Sequence, residues 1–157
     1  MTKAASVFNK LIEWKDNRVE DALYLKYLME HKYNVLKGGM ELGSPFIPLI
    51  MHDWSKFKPR NWVPYREYLF GTKYPSGDPN ELTEEERQQQ YLDFREAVEN
   101  HIDSESHHDY KYRNPDKSIL PNEENKADWW AIQRYYYPDT TPTSIKEWLL
   151  KKSQSKM

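Results

Sequence analysis

The sequence predicts an all-α fold, a single-domain bundle of about six or seven helices. Three observations predict it. β-Branched residues are scarce and no segment reads as a convincing strand. Apolar residues recur at helical spacing along most of the chain. Those periodic stretches are bounded by capping residues, glycines and prolines. The length of 157 residues fits one domain. Mean hydropathy is low, at −1.03. Only 38% of residues are hydrophobic, but six Trp, twelve Tyr and five Phe supply large buried areas with polar tips.

The elements follow in order. Residues 6–42 read as one long helical stretch, with a break allowed near Asp16-Asn17. Its second half carries Leu23, Tyr27, His31 and Val35 at i, i+4 spacing, with Tyr24 and Leu28 alongside. Gly38, Gly39 and Gly43 weaken and end it. Ser44-Pro45 restarts the chain as an N-cap and a first-turn proline. A short apolar helix over 46–57 follows, and Pro59 stops it. Residues 61–70 form another helix, and 71–80, with two Gly and two Pro, a loop. Thr83-Glu84-Glu85-Glu86 is a capping box that opens a helix through Tyr91, Phe94, Val98 and His101. Residues 103–121 are polar and irregular. Residues 122–136 are helical, with Trp129, Trp130 and Ile132 on the apolar side, and Thr141-Pro142 caps a last helix over 143–152. The tail from Ser153 frays.

Composition narrows the function classes. The net charge of −2 implies no basic face, so nucleic acid is not an expected partner. The chain has no cysteine, which removes disulfides, thiolate metal sites and cysteine nucleophiles together. The first sixteen residues are too charged for a signal-peptide core, and the longest apolar run, 46–51, is too short to span a bilayer. The expectation is a cytoplasmic protein without membrane attachment.

The remaining chemistry lies in five histidines and two aspartates. Imidazole and carboxylate are common ligands of Zn, Mn, Fe, Co and Ni. His31 sits on an apolar helix face, where a lone His is more often a hydrogen-bonded core residue. His52-Asp53 ends the apolar run Pro48-Leu49-Ile50-Met51; an ionised Asp there is costly unless paired or metal-bound. Its bland alternative is an i+3 salt bridge to Lys56. His101 continues the stripe of Tyr91, Phe94 and Val98, whereas His107-His108 lies in a polar loop, where the bland alternative is a solvated surface pair. Asp128, between Ala127 and Trp129-Trp130, is either a first-turn charge on the helix dipole or a ligand. Together these residues predict one or two divalent transition-metal ions per chain.

The order His31, His52-Asp53, Asp128 resembles the H…HD…D signature of the HD-domain superfamily of metal-dependent phosphohydrolases. Glu30-His31-Lys32-Tyr33-Asn34-Val35 is similar to that family's first ligand helix. Leu49-Ile50-Met51-His52-Asp53-Trp54-Ser55-Lys56 is similar to its second, an apolar run ending in HD-x-x-K. His101 with His107-His108 resembles the extra histidines that some members use for a second metal. The fuller set, HDWSKF, Glu67-Tyr68, H-x5-HH-x-Y and Asp128-Trp129, resembles a family of small phage and bacterial proteins. The final Asp of HD domains usually has small aliphatic neighbours, whereas here it abuts two Trp. His101 and His107 are also closer in sequence than in most two-metal members.

The resemblance implies an HD-like helical bundle with its motif core over 31–128. It implies hydrolysis of a phosphate ester, in first place a nucleotide, by water activated on the metal. His31, His52, Asp53 and Asp128 would hold the first ion. His101 and His107 or His108 would hold a second or contact phosphate. Asp53, Lys56 and Glu67 form the catalytic set. Lys56 neutralises phosphoryl charge, Glu67 orients water or a ligand histidine, and Lys56, Arg66, His107 and His108 meet the substrate. The long segment 103–121, with Tyr110, Lys111, Tyr112 and Arg113, is expected to fold over the cleft. Two other functions compete. One is an HD-type di-iron oxygenase using His31, His52, Asp53, His101, His107 and Asp128. The other is a metal-containing phage protein that binds a nucleotide or a host protein without turnover, in the host cytoplasm. A homodimer stays open.

Overall fold

The computed structural model describes residues 3–71 and 82–154, and their side chains from Arg18 onward. Seven α-helices make up the described chain: α1 (Lys3–Leu42), α2 (Phe46–Met51), α3 (Pro59–Phe70), α4 (Glu84–Ser104), α5 (Asp109–Tyr112), α6 (Glu123–Tyr136) and α7 (Ile145–Gln154). Two 3-10 turns, Trp54–Phe57 and Ser106–His108, complete it, and there is no strand among the described residues. No helix among them is long and apolar enough to cross a membrane. The all-α class read from the sequence is the class observed. The loop expected over 71–80 lies, beyond Gly71, outside the described residues.

The described residues group into two compact units, those within 1–27 and 56–101 and those within 28–55 and 102–157. The long helix α1 contributes to both and runs without a break past Asp16-Asn17.

In the first unit Tyr24 is fully buried. Trp62 meets it edge-on at 4.7 Å, and Tyr65 and Phe70 lie at 6.3 and 6.2 Å. Tyr68 stacks on Phe94 at 4.0 Å. Such offset and edge contacts each add a fraction of a kcal/mol, up to about 1.5, beyond the area they bury. Arg66 is buried among Glu20, Asp21 and Glu67, at 3.6, 3.1 and 3.0 Å. Pro59 begins α3 rather than stopping the helix before it, since a proline at the first helical position gives up no hydrogen bond. The capping box before α4 forms as read: Thr83 Oγ1 accepts from the Glu86 N–H at 3.2 Å, and Glu86 accepts from the Thr83 N–H at 2.8 Å.

In the second unit α1 buries Leu28, His31 and Val35. The buried stripe, continued from Glu20 and Tyr24, is rotated from the one expected, and Leu23 faces outward. Gly38 and Gly39 do not end α1 but lie within it. A Cβ at Gly39 would stand 2.3 Å from Leu49 Cδ2, and one at Gly38 2.8 Å from Trp130 Cε3. The two glycines let α2 and α6 press against the α1 backbone. Gly43 ends the helix, with φ of 83°, a conformation open to residues without a Cβ. The core gathers Val35, Leu49, Ala127, Trp130, Ala131, Ile145 and Trp148. Ile132, expected on the apolar side of α6, is instead 39% exposed.

Three expected elements differ in extent. The helix read over 46–57 stops at Met51, and His52 and Asp53 form a turn before Trp54–Phe57. The irregular segment 103–121 begins in α4 and then forms the 3-10 turn at Ser106–His108 and α5, so the irregular part starts at Arg113. Asn122, expected within α6, is instead its cap, through a reciprocal pair with Asn125 at 2.9 and 3.0 Å. The last helix starts at Ile145, two residues later than expected.

Candidate metal centre

The second unit brings six of the expected residues to one place. His31 comes from α1, His52 and Asp53 from the turn after α2, His107 and His108 from the turn before α5, and Asp128 from α6. His31, His52 and Asp53 are each 1% exposed, and His107 and Asp128 are also buried.

The turn at 52–53 explains how neighbours in sequence converge. On a continuous helix they would point about 100° apart. Here His52 leaves the helix at ψ of 132° and Asp53 takes φ of 58°, so both side chains face the same point. Aspartate is among the few non-glycine residues that enter the left-handed region readily. Lys32 holds the turn from one side, donating to the carbonyls of Ile50 at 2.7 Å and His52 at 2.5 Å. Glu105 holds it from the other, accepting the Ser55 N–H at 2.8 Å.

The donor atoms are spaced as the corners of a coordination shell. His31 Nε2 lies 3.3 Å from His52 Nε2, 3.2 Å from Asp53 Oδ2 and 3.3 Å from Asp128 Oδ1. His52 Nε2 lies 3.6 Å from Asp53 Oδ1 and 3.5 Å from Asp128 Oδ1. Ligands about 2.1 Å from one ion in tetrahedral array stand about 3.4 Å apart. Two neutral imidazoles and two carboxylates are also a donor set that transition metals accept. The residues present therefore fit a divalent ion. Asp53, His107 and His108 form an adjoining group with donor atoms within 4.8 Å, and His107 Nε2 is 3.8 Å from Asp53 Oδ1.

Electrostatics agree with a site made for a cation. Burial by itself lowers the His52 pKa, but the Asp53 charge and hydrogen bonds with Asp128 and Glu124 outweigh it and carry it up to about 10. Burial raises the Asp128 carboxyl, yet hydrogen bonds from His31 and His52 hold it well below the usual range. His107 is driven down to about 2 by burial, with the His52 and His108 charges adding to the effect. A proton on His52 supplies positive charge to the metal-free cluster. Its raised pKa contributes stability that is fully present below the unfolded value near 6.5 and lost as pH rises through about 10.

An ion and that proton compete for Nε2. Metal affinity is therefore expected to rise about tenfold per pH unit between pH 7 and 9, with about one proton released per ion. Calorimetry in buffers of different ionisation enthalpy reads the proton count directly, and a count of zero would contradict the assignment.

The other expected residues belong to the first unit. Lys56 sets its ammonium 5.6 Å from the centre of the Tyr65 ring. His101, buried at the end of α4, meets Tyr65 edge-on at 6.4 Å. The Arg66 charge is already answered by three carboxylates, one of them Glu67. Sequence reasoning overlooked Glu124, whose Oε1 lies 3.1 Å from His52 Nδ1, and Asn125, which donates to the His107 carbonyl. A signal for Glu124 existed: it stands four residues before Asp128, one turn away on the same helix face.

Fold and site define an all-helical protein with a buried histidine–carboxylate cluster able to hold a metal ion. The chain belongs to the DUF5662 family, described as a family of unknown function, whose model matches residues 20–157. Neither the curated proteins nor the solved structures contain a match to it.

Proposed function

We propose that this protein is an HD-type metal-dependent phosphohydrolase acting on a nucleotide or another small phosphate ester. The observation that carries the reading is the convergence of His31, His52, Asp53 and Asp128 in the H…HD…D order, with donor atoms 3.2 to 3.6 Å apart. A divalent ion held there supplies Lewis acidity toward a phosphoryl oxygen and acidifies water. The residues of the chain do the rest. Asp53 and Asp128 match the charge of the ion, and the buried imidazoles fix its position. His107 and His108 lie beside Asp53, where charge-assisted hydrogen bonds to phosphate are within their chemistry.

The same cluster admits a second reading, in which the metal-loaded protein binds a phosphate compound without turning it over. One experiment separates the two. Protein loaded in turn with Mn, Fe, Co, Ni and Zn is incubated with nucleotide mono-, di- and triphosphates. The hydrolase reading expects phosphate release that EDTA abolishes. Nucleotide recovered intact from a tight complex supports the binder. Neither release nor binding in any metal form would defeat both.

A further inference from the structure

We propose that Glu124 is the positioning residue of the metal centre, holding the His52 imidazole so that Nε2 faces the ion. The proposal rests on the metal reading above and deepens it. His52 presents its two ring nitrogens to different partners. Nε2 faces His31, Asp53 and Asp128, whereas Nδ1 faces Glu124 Oε1 at 3.1 Å. The ring is 1% exposed, so no solvent contact sets its orientation. Its Nδ1–H needs an acceptor, and Glu124 supplies one. Once that proton is committed to Glu124, the Nε2 lone pair is the one left to bind.

The same geometry explains why the acceptor sits on α6. Glu124 and Asp128 are one turn apart, so a single helix delivers an acceptor to one edge of His52 and a ligand to the other. The helix itself is fixed against the histidine turn, because Asn125 closes the α6 capping box and also donates to the His107 carbonyl. Glu124 Oε1 is 3.6 Å from His107 Nδ1 as well, so the carboxylate stands between the two histidine-bearing turns. A carboxylate hydrogen-bonded to a ligand histidine raises its basicity and restricts its ring, and removing such a partner costs about 10–100-fold in metal affinity.

The test uses the full chain with zinc as probe. Affinity is read by competition with a chelator, and helix content by circular dichroism. Nitrogen-15-labelled histidine spectra report the Nδ1–H of His52. Glu124→Ala is expected to bind zinc about 10–100-fold more weakly at unchanged helix content, and to lose the shielded Nδ1–H signal. Glu124→Gln, which keeps an acceptor oxygen, is expected to retain that signal with a smaller loss of affinity, and it replaces Glu124→Ala if the latter does not fold. Equal zinc affinity and an unchanged His52 spectrum in both variants would overturn the proposal. If the unaltered chain takes up no zinc, the metal reading falls. The positioning role then stands or falls on whether the His52 Nδ1–H signal of the metal-free protein is lost in Glu124→Ala.

Discussion

Asp53→Ala is expected to remove most of the bound metal. The substitution takes away an anionic donor 3.2 Å from His31 Nε2 and 3.6 Å from His52 Nε2, and the neighbouring residues cannot supply another in its place. It also places alanine at a φ of 58°, which favours Asp, Asn and Gly. Asp53→Asn separates the two effects, since asparagine accepts the backbone but not the charge. Both variants are expected to lose at least about 100-fold in affinity, equal to roughly 2.7 kcal/mol. Thermal shift gives a direct check. Metal at about a hundred times its dissociation constant stabilises the unaltered chain by about 2.7 kcal/mol, and the variants are expected to show little of that rise. A full metal-induced shift in Asp53→Asn would show that Asp53 is not a ligand.

Trp130→Ala is expected to be the most destabilising single change in the second unit. The indole is fully buried in the cluster of Val35, Leu49, Ala131, Ile145 and Trp148, and its ring lies against the α1 backbone at Gly38. Its Nε1–H donates to the Pro142 carbonyl at 3.0 Å, tying α6 to the segment before α7. Truncation leaves a cavity and removes one of the two donors to the Pro142 carbonyl, the other being Arg134 at 3.3 Å, at a cost of about 3–5 kcal/mol. For a chain of this length that lowers the melting temperature by roughly 10 °C. Urea unfolding followed by circular dichroism measures it, and a loss below about 1 kcal/mol would mean that the cluster does not rely on Trp130.

These two sites show what the amino-acid order discloses and what it conceals. The start of α4 was readable because its cap acts locally: Thr83 and Glu86 are three residues apart. His31, His52-Asp53 and Asp128 were readable because histidines and isolated acids are few in apolar surroundings, and His107-His108 because three of the five histidines fall within eight positions. The turn at 52–53 was not, because no glycine or proline stands at that point of 46–57 to break the helix, and only tertiary bonds from Lys32 and Glu105 fix the departure. Gly38 and Gly39 looked like helix breakers because propensity knows nothing of the side chains of Leu49 and Trp130 that press on them. Glu124 stayed hidden for a related reason. An acid in the first turn of a helix already has a sufficient explanation in the helix dipole.

The left-handed backbone at residue 53 restricts which sequences can inherit this turn. Most side chains lose roughly 1–2 kcal/mol there, with glycine, asparagine and aspartate the cheap exceptions. Of those three, only aspartate is an anion. Conformation and ligation thus filter the position independently, and one letter of the twenty passes both. Glutamate would carry the charge but strain the chain, while asparagine or glycine would leave the fold standing around a centre short of one negative charge. On the proposed metal reading, a descendant that abandons the ion can change this codon without losing its architecture, whereas one that keeps it is held to aspartate.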